Sequence, residues 1–137
     1  MARRVVLDTN ALVSALITPA GNCAAVLACV LRGELSPCYD GRILAEYQEV
    51  LCRSRLSLPG ARVKAVLDLI RAQGEAAAPP RLPPLAPDPD DTKFWEVAVH
   101  LEALLVTGNA KHYPRSPLVA TPARALALAP GAAGQRR

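Results

Sequence analysis

Cysteine is scarce and poorly spaced for a metal. Cys23, Cys29, Cys38 and Cys52 lie 6, 9 and 14 residues apart, and no pair has the CxxC spacing of a zinc site. A zinc-held domain is thereby excluded, and the four thiols are expected as small buried hydrophobes in a reducing compartment. Histidine is scarcer still, with only His100 and His112, one in a helical segment and one in a loop. No apolar run approaches the ~18 residues that argue for a membrane span. The opening "MARRVVLDTN" carries an acid inside its apolar stretch, unlike a signal peptide, so the expected compartment is the cytoplasm. Aromatic residues make up only 4% of the chain. Phe94 and Trp95, adjacent on an apolar helix face, are expected to pack rather than to stack on bases.

What remains is a chain of 137 residues, 51% hydrophobic and 20% charged, which suits one globular domain and excludes a disordered one. The net charge of +4 hides an uneven distribution. With Asp8, Glu46, Asp88, Asp90 and Asp91 set aside as site candidates, only seven of the 12 acids remain to face 16 Lys and Arg. A basic exterior around an acidic centre suits a polyanion that must reach a metal, although a merely basic composition gives the same count.

The run Val5, Val6, Leu7 is apolar without alternation, as in a strand covered on both faces. Asp8 stops it, and from Ala11 the apolar spacing turns helical. Asp8 is therefore either a helix cap or a site residue at the carboxyl end of a strand. "CAAVLACVLRG" reads as a helix closed by Gly33, Ser36 to Tyr39 as a short strand, and "RILAEYQEVLCR" as an amphipathic helix after the Asp40–Gly41 turn. "ARVKAVLDLIRAQG" is a further helix, and the proline-rich stretch from Glu75 to Pro89 is a loop or a short edge strand. "DDTKFWEVAVHLEA" is the next helix, "LLVTGN" a strand running into a polar turn, and "PLVATPARAL" a last short strand and helical turn. Strands alternating with helices predict a three-layer α/β/α domain on a parallel sheet, spanning residues 1–129, with "PGAAGQRR" at 130–137 as a frayed tail.

Several acids fall where this order converges. Glu46 borders the buried face of its helix, whereas Glu49 stands four residues before Arg53 and pairs with it towards solvent. Asp91 precedes Phe94, Trp95 and Ala98 by three, four and seven residues, which puts it on the inward face. Asp90 is placed as the N-cap, and Asp88 as a loop acid. Lys111 and His112 read as a solvated loop rather than as contacts to a phosphate backbone. Asp8, Glu46 and Asp91, with Asn109 beside them, would repel unless a cation sat among them. Hard oxygen ligands without clustered Cys or His point to Mg²⁺ or Mn²⁺, and the natural reaction of such a site is phosphodiester hydrolysis. A phosphatase using Asp8 as nucleophile would need a general acid two residues on, which Asn10 does not supply.

With "VVLDTNALVSAL", "ILAEYQEVL", "DPDDTKFWEVA", "LVTGNAKHYP" and "VATPARAL" in this order, the chain resembles the PIN-domain family, and most of all its toxin components of toxin-antitoxin systems. The resemblance covers roughly residues 4 to 126. It implies an α/β/α sandwich and a metal-dependent endoribonuclease that leaves 5′-phosphate and 3′-hydroxyl ends. Such proteins are often silenced by a small antitoxin protein and often form homodimers. By motif, the first three acids of the family map onto Asp8, Glu46 and Asp91, Thr9 and Asn10 onto the polar residues that brace the first, and Thr107 onto the threonine before the fourth. That fourth place is Asn109, a departure from the commonest pattern, which leaves three acids for one ion. The alternative is a PIN-fold module that binds RNA or protein and has lost its chemistry.

Overall fold

In the computed structural model, described for residues 2–130, five parallel strands form one sheet. The strands are β1 (Arg3–Leu7), β2 (Leu35–Tyr39), β3 (Glu75–Ala76), β4 (Leu104–Val106) and β5 (Val119–Ala120), in the order β3-β2-β1-β4-β5. Six helices accompany them: α1 (Thr9–Ile17), α2 (Asn22–Leu31), α3 (Gly41–Leu51), α4 (Gly60–Gln73), α5 (Thr92–Leu101) and α6 (Pro122–Leu128). Successive side chains of a strand point to opposite faces, and Val5, Val6 and Leu7 are all buried, so helices cover both faces. This is the three-layer α/β/α architecture with a central parallel sheet. No single helix among the described residues is long and apolar enough to cross a membrane. Of the expected tail, residues 131–137 lie outside the described residues.

The strand order matters for the site. The chain leaves β1 to build β2 and β3 on one side, then crosses back to lay β4 and β5 on the other. The carboxyl ends of β1 and β4 therefore flank a reversal point, where open parallel sheets leave a crevice. The ladder pairs Leu7 with Val106, and the Asp8 amide donates to the Val106 carbonyl at 3.2 Å. Asp8 and Thr107, each the next residue along its strand, are thereby brought side by side.

Helix starts follow side-chain chemistry. Asp8 accepts from the Ala11 amide at 2.9 Å, Asp40 from Ile43 at 3.0 Å and Thr121 from Arg124 at 3.2 Å. Before α5 the expectation fails: Asp90 is not the cap. Pro89 starts a 3-10 turn (Pro89–Asp91), and Asp88 accepts from the Asp90 amide at 3.0 Å. Proline's fixed φ begins the turn early, so the capping acid is the residue in front of it. Gly33, at φ 76°, closes α2 as expected. Gly74 is required for another reason: a Cβ there would stand 2.0 Å from the Pro37 carbonyl oxygen.

The cysteines are free thiols, and they divide. Cys29 and Cys38 are buried as expected, Cys23 is half-buried, and Cys52 is exposed. The reason is local: Cys52 follows the last turn of α3, whose buried positions end at Leu51.

The proline-rich stretch is fastened rather than loose. The Leu82 amide donates to Glu96 Oε2 at 2.7 Å and the Leu85 amide to Thr92 Oγ1 at 2.9 Å. Glu96 is only 2% exposed, and its Oε1 lies 2.8 Å from Arg42 Nη1, a charge contact rather than an aligned hydrogen bond. Arg42 also holds Asp40 Oδ2 at 2.6 Å. This cluster ties α3, which carries Glu46, to α5, which follows Asp91.

Candidate active site

One open cavity of about 750 Å³ is lined by Asp8, Glu46 and Asp91, together with Thr9, Asn10, Asp90, Thr107 and Asn109. Separate segments thus bring all the sequence candidates to one place, at the carboxyl edge of the sheet.

Asp8 is buried, and it is a cap and a cavity residue at once, so the two readings do not compete. Burial raises its pKa above the ordinary 3.8. The Thr107 hydroxyl and the Ala11 amide oppose the rise, and the charge of Asp91 adds to it. Thr107 is fully buried, and its oxygen accepts from the Asn109 amide at 3.0 Å, which fixes the turn after β4. Asp91 is raised as well, first by burial and then by the Asp88 charge, with the His112 hydrogen bond pulling the other way.

Glu46 is placed differently. Its Oε2 accepts from the Thr9 hydroxyl, and its Oε1 lies 2.7 Å from Lys93 Nζ. Thr9 thus reaches Glu46, while Asn10 is exposed on the cavity wall. Asp90 is exposed, with its carbonyl taken by Lys93. Glu49 pairs with Arg53 at 2.8 Å as expected, yet both line the same cavity. Phe94 is buried in the core.

Two residues of the site were missed in the sequence. His112, expected in a solvated loop, sits with Nδ1 3.2 Å from Asp91 Oδ2 and Nε2 2.9 Å from Asn109 Nδ2. The ring thus bridges Asn109 and Asp91, with Nδ1 placed against the carboxylate. Lys93 is the second. Its only signal was a cation two residues after Asp91 in a segment otherwise rich in acids.

A family model described as PIN domain matches residues 4–111. The chain belongs to the PIN-domain family. Comparison with curated proteins and with solved structures gives no match. PIN domains are generally nucleases and typically use divalent metal ions. Among the described residues no three His, Cys, Asp or Glu side chains stand together as a ready cage, with Glu46 held by Lys93 and Asp91 by His112. The donor chemistry nonetheless fits. Asp8 and Asp91 offer hard carboxylate oxygens in a site that resists their charge. Behind them the buried Tyr113 hydroxyl has no hydrogen-bond partner among the described residues, and burial and then the charges of Asp8, Asp91 and Glu46 push its pKa up.

The raised acids have a measurable consequence. A carboxyl whose folded pKa lies above its unfolded value adds stability fully below the ordinary 3.8, and loses it as pH rises through the folded value. In chelator this PIN domain is therefore expected to lose the Asp8 and Asp91 contributions on going from pH 4 to pH 7. Asp8→Asn keeps an oxygen for the Ala11 amide and removes the charge. It is expected to raise the melting temperature in chelator at pH 7 by about 3–5 °C, for a relief of about 1 kcal/mol, and to flatten that decline. Equal melting curves for the two proteins across the pH range would refute it.

Asn109→Asp is expected to act in the opposite sense. The added charge lowers the melting temperature in chelator and enlarges the rise on adding Mg²⁺ or Mn²⁺. Calorimetric titration with parallel melts measures both, and no change in either would show that residue 109 does not face the acids.

Proposed function

We propose that this PIN domain is an Mg²⁺- or Mn²⁺-dependent endoribonuclease that hydrolyses RNA phosphodiester bonds, acting as the toxin of a toxin-antitoxin pair. The observation that carries the reading is the pair Asp8 and Asp91, both with raised pKa in one open cavity at the reversal point of the sheet. The toxin role is supported by the resemblance of the five ordered motifs.

Asp8 and Asp91 would hold the ion, and Glu46 would join them when it exchanges Lys93 for the cation. Bound there, such an ion lowers the pKa of a water and neutralises charge developing on phosphate oxygens. The chain's own groups do the rest. The Ala11 amide holds Asp8 Oδ1, and the nearby Thr107 hydroxyl favours its charged form. His112 Nδ1 lies 3.2 Å from Asp91 Oδ2 and would orient that carboxylate as partners of ligand groups commonly do. Lys93 Nζ balances the charge of Glu46. The expected partners are the RNA substrate, a cognate antitoxin protein and a second copy of the chain, and we take the cytoplasm, where its substrate is, as its compartment.

A specific observation favours a second reading, that of a PIN-fold binding module with weak or lost chemistry. One of three acids is ion-paired and the fourth place is Asn109. An assay on end-labelled single-stranded RNA separates the two. Cleavage in Mg²⁺ or Mn²⁺ that stops in chelator and in Asp8→Asn supports the enzyme. A folded wild-type protein that binds RNA and leaves it whole supports the module.

A further inference from the structure

The cavity has a second chemical character that the acids do not use. Beyond Glu46 its wall follows α3, through Glu49 and Val50, and continues past the helix end to Arg53, Arg55 and Leu56. At 1.5 Å per residue, about 7.5 Å of helix separates Glu46 from Leu51, so the arginines lie beyond the catalytic acids along that wall.

The two arginines are held differently. Arg53 grips Glu49, with Nη2 2.8 Å from Oε2 and Nε 3.3 Å from Oε1, and both side chains are substantially exposed. Arg55 is exposed and has no carboxylate partner among the described residues. It rides on the 3-10 turn Ser54–Leu56, which is closed by Ser57 in the left-handed region at φ 53°. A non-glycine residue there is uncommon, and it fixes the direction of the turn that carries Arg55.

We propose that Arg53 and Arg55 form an anion subsite for the backbone phosphates that flank the scissile one on a single nucleic-acid strand, with Glu49 as the counter-charge that a phosphate displaces from Arg53. The nature of the polymer rests on the ribonuclease reading of the same cavity. A guanidinium suits this task because its planar fork pairs with phosphate oxygens and its face stacks on bases. Val50 and Leu56, on the same wall, offer apolar surface to sugar and base. The role of Glu49 gives the proposal a sign that a structural ion pair does not have: its removal should improve binding.

The test measures fluorescence anisotropy of short labelled single-stranded RNA and DNA across a salt series, using Asp8→Asn protein so that the strand stays intact. Arg55→Ala and Arg53→Ala are each expected to weaken binding about tenfold and to reduce the salt slope by about 0.7, the share of one phosphate on a single strand. Glu49→Gln is expected to tighten binding several-fold. Arg71→Ala, on α4 and paired with Asp68, should change neither quantity. Equal losses on RNA and DNA support phosphate recognition, and a loss on RNA alone overturns it. Melting curves of each variant exclude misfolding as the cause. If wild type cuts RNA but the arginine variants bind with unchanged affinity and slope, the subsite fails and the ribonuclease reading stands. If binding depends on the arginines while wild type cuts nothing, the subsite stands and the ribonuclease reading fails. If the protein binds no strand, both fail.

Discussion

Asp91→Ala is expected to stay folded and to lose RNA cleavage by at least about 100-fold, more than replacing a supporting residue behind a metal ligand usually costs. The fold depends little on this side chain. Asp91 already has helical backbone angles at the start of α5, and its carboxylate makes no capping bond. Its work is done in the cavity, where it meets His112 and adds charge beside Asp8. Asp8→Asn should lose as much activity while gaining stability in chelator, so the two substitutions separate chemistry from folding. Substantial Mg²⁺-dependent cleavage by folded Asp91→Ala protein would remove Asp91 from the site.

Glu96→Ala is expected to have the largest effect on stability, about 2–3 kcal/mol, or roughly a 10 °C fall in melting temperature. Removing the carboxylate strips the Leu82 amide of its acceptor and the Arg42 guanidinium of its buried partner. The cost stays below the ~3–5 kcal/mol of a fully buried pair because Arg42 is about a third exposed and keeps Asp40. Glu96→Gln preserves an acceptor for Leu82 and should lose less. A Glu96→Ala protein that melts like wild type would show that this cluster does not hold the proline-rich stretch and the two helices together.

The contrast between Asp8 and Glu96 shows what the sequence made legible. An unalternating apolar run that ends in an acid marks a buried strand with a carboxylate at its rim, and the strand–helix alternation then puts Asp8, Thr107 and Asn109 at one edge. These are local patterns repeated in order. Glu96 is invisible in the same way that Lys93 and His112 are. Each owes its role to a partner distant along the chain, Arg42, Glu46 and Asp91 respectively, and periodicity within one helix or loop carries no trace of a contact set by sheet register. Asp90 and Asp88 show a smaller failure, in which three nearby acids could all cap and only the fixed φ of Pro89 chooses between them. For Asp8 the sequence offered a cap or a site residue as alternatives, and the geometry makes them compatible, since Oδ1 accepts from the Ala11 amide while the residue lines the cavity.

The measurement that bears most directly on the central claim is the chemistry of the cut ends. In the proposed reaction, Asp8 and Asp91 would hold an ion that supplies a water nucleophile, and the neighbouring 2′-hydroxyl would not be needed. Wild-type protein in Mg²⁺ is expected to cut single-stranded RNA to fragments with 5′-phosphate and 3′-hydroxyl ends and to cut a 2′-O-methylated strand to the same kind of ends, with chelator abolishing both. Fragments ending in 2′,3′-cyclic phosphate, produced equally well in chelator, would contradict that claim.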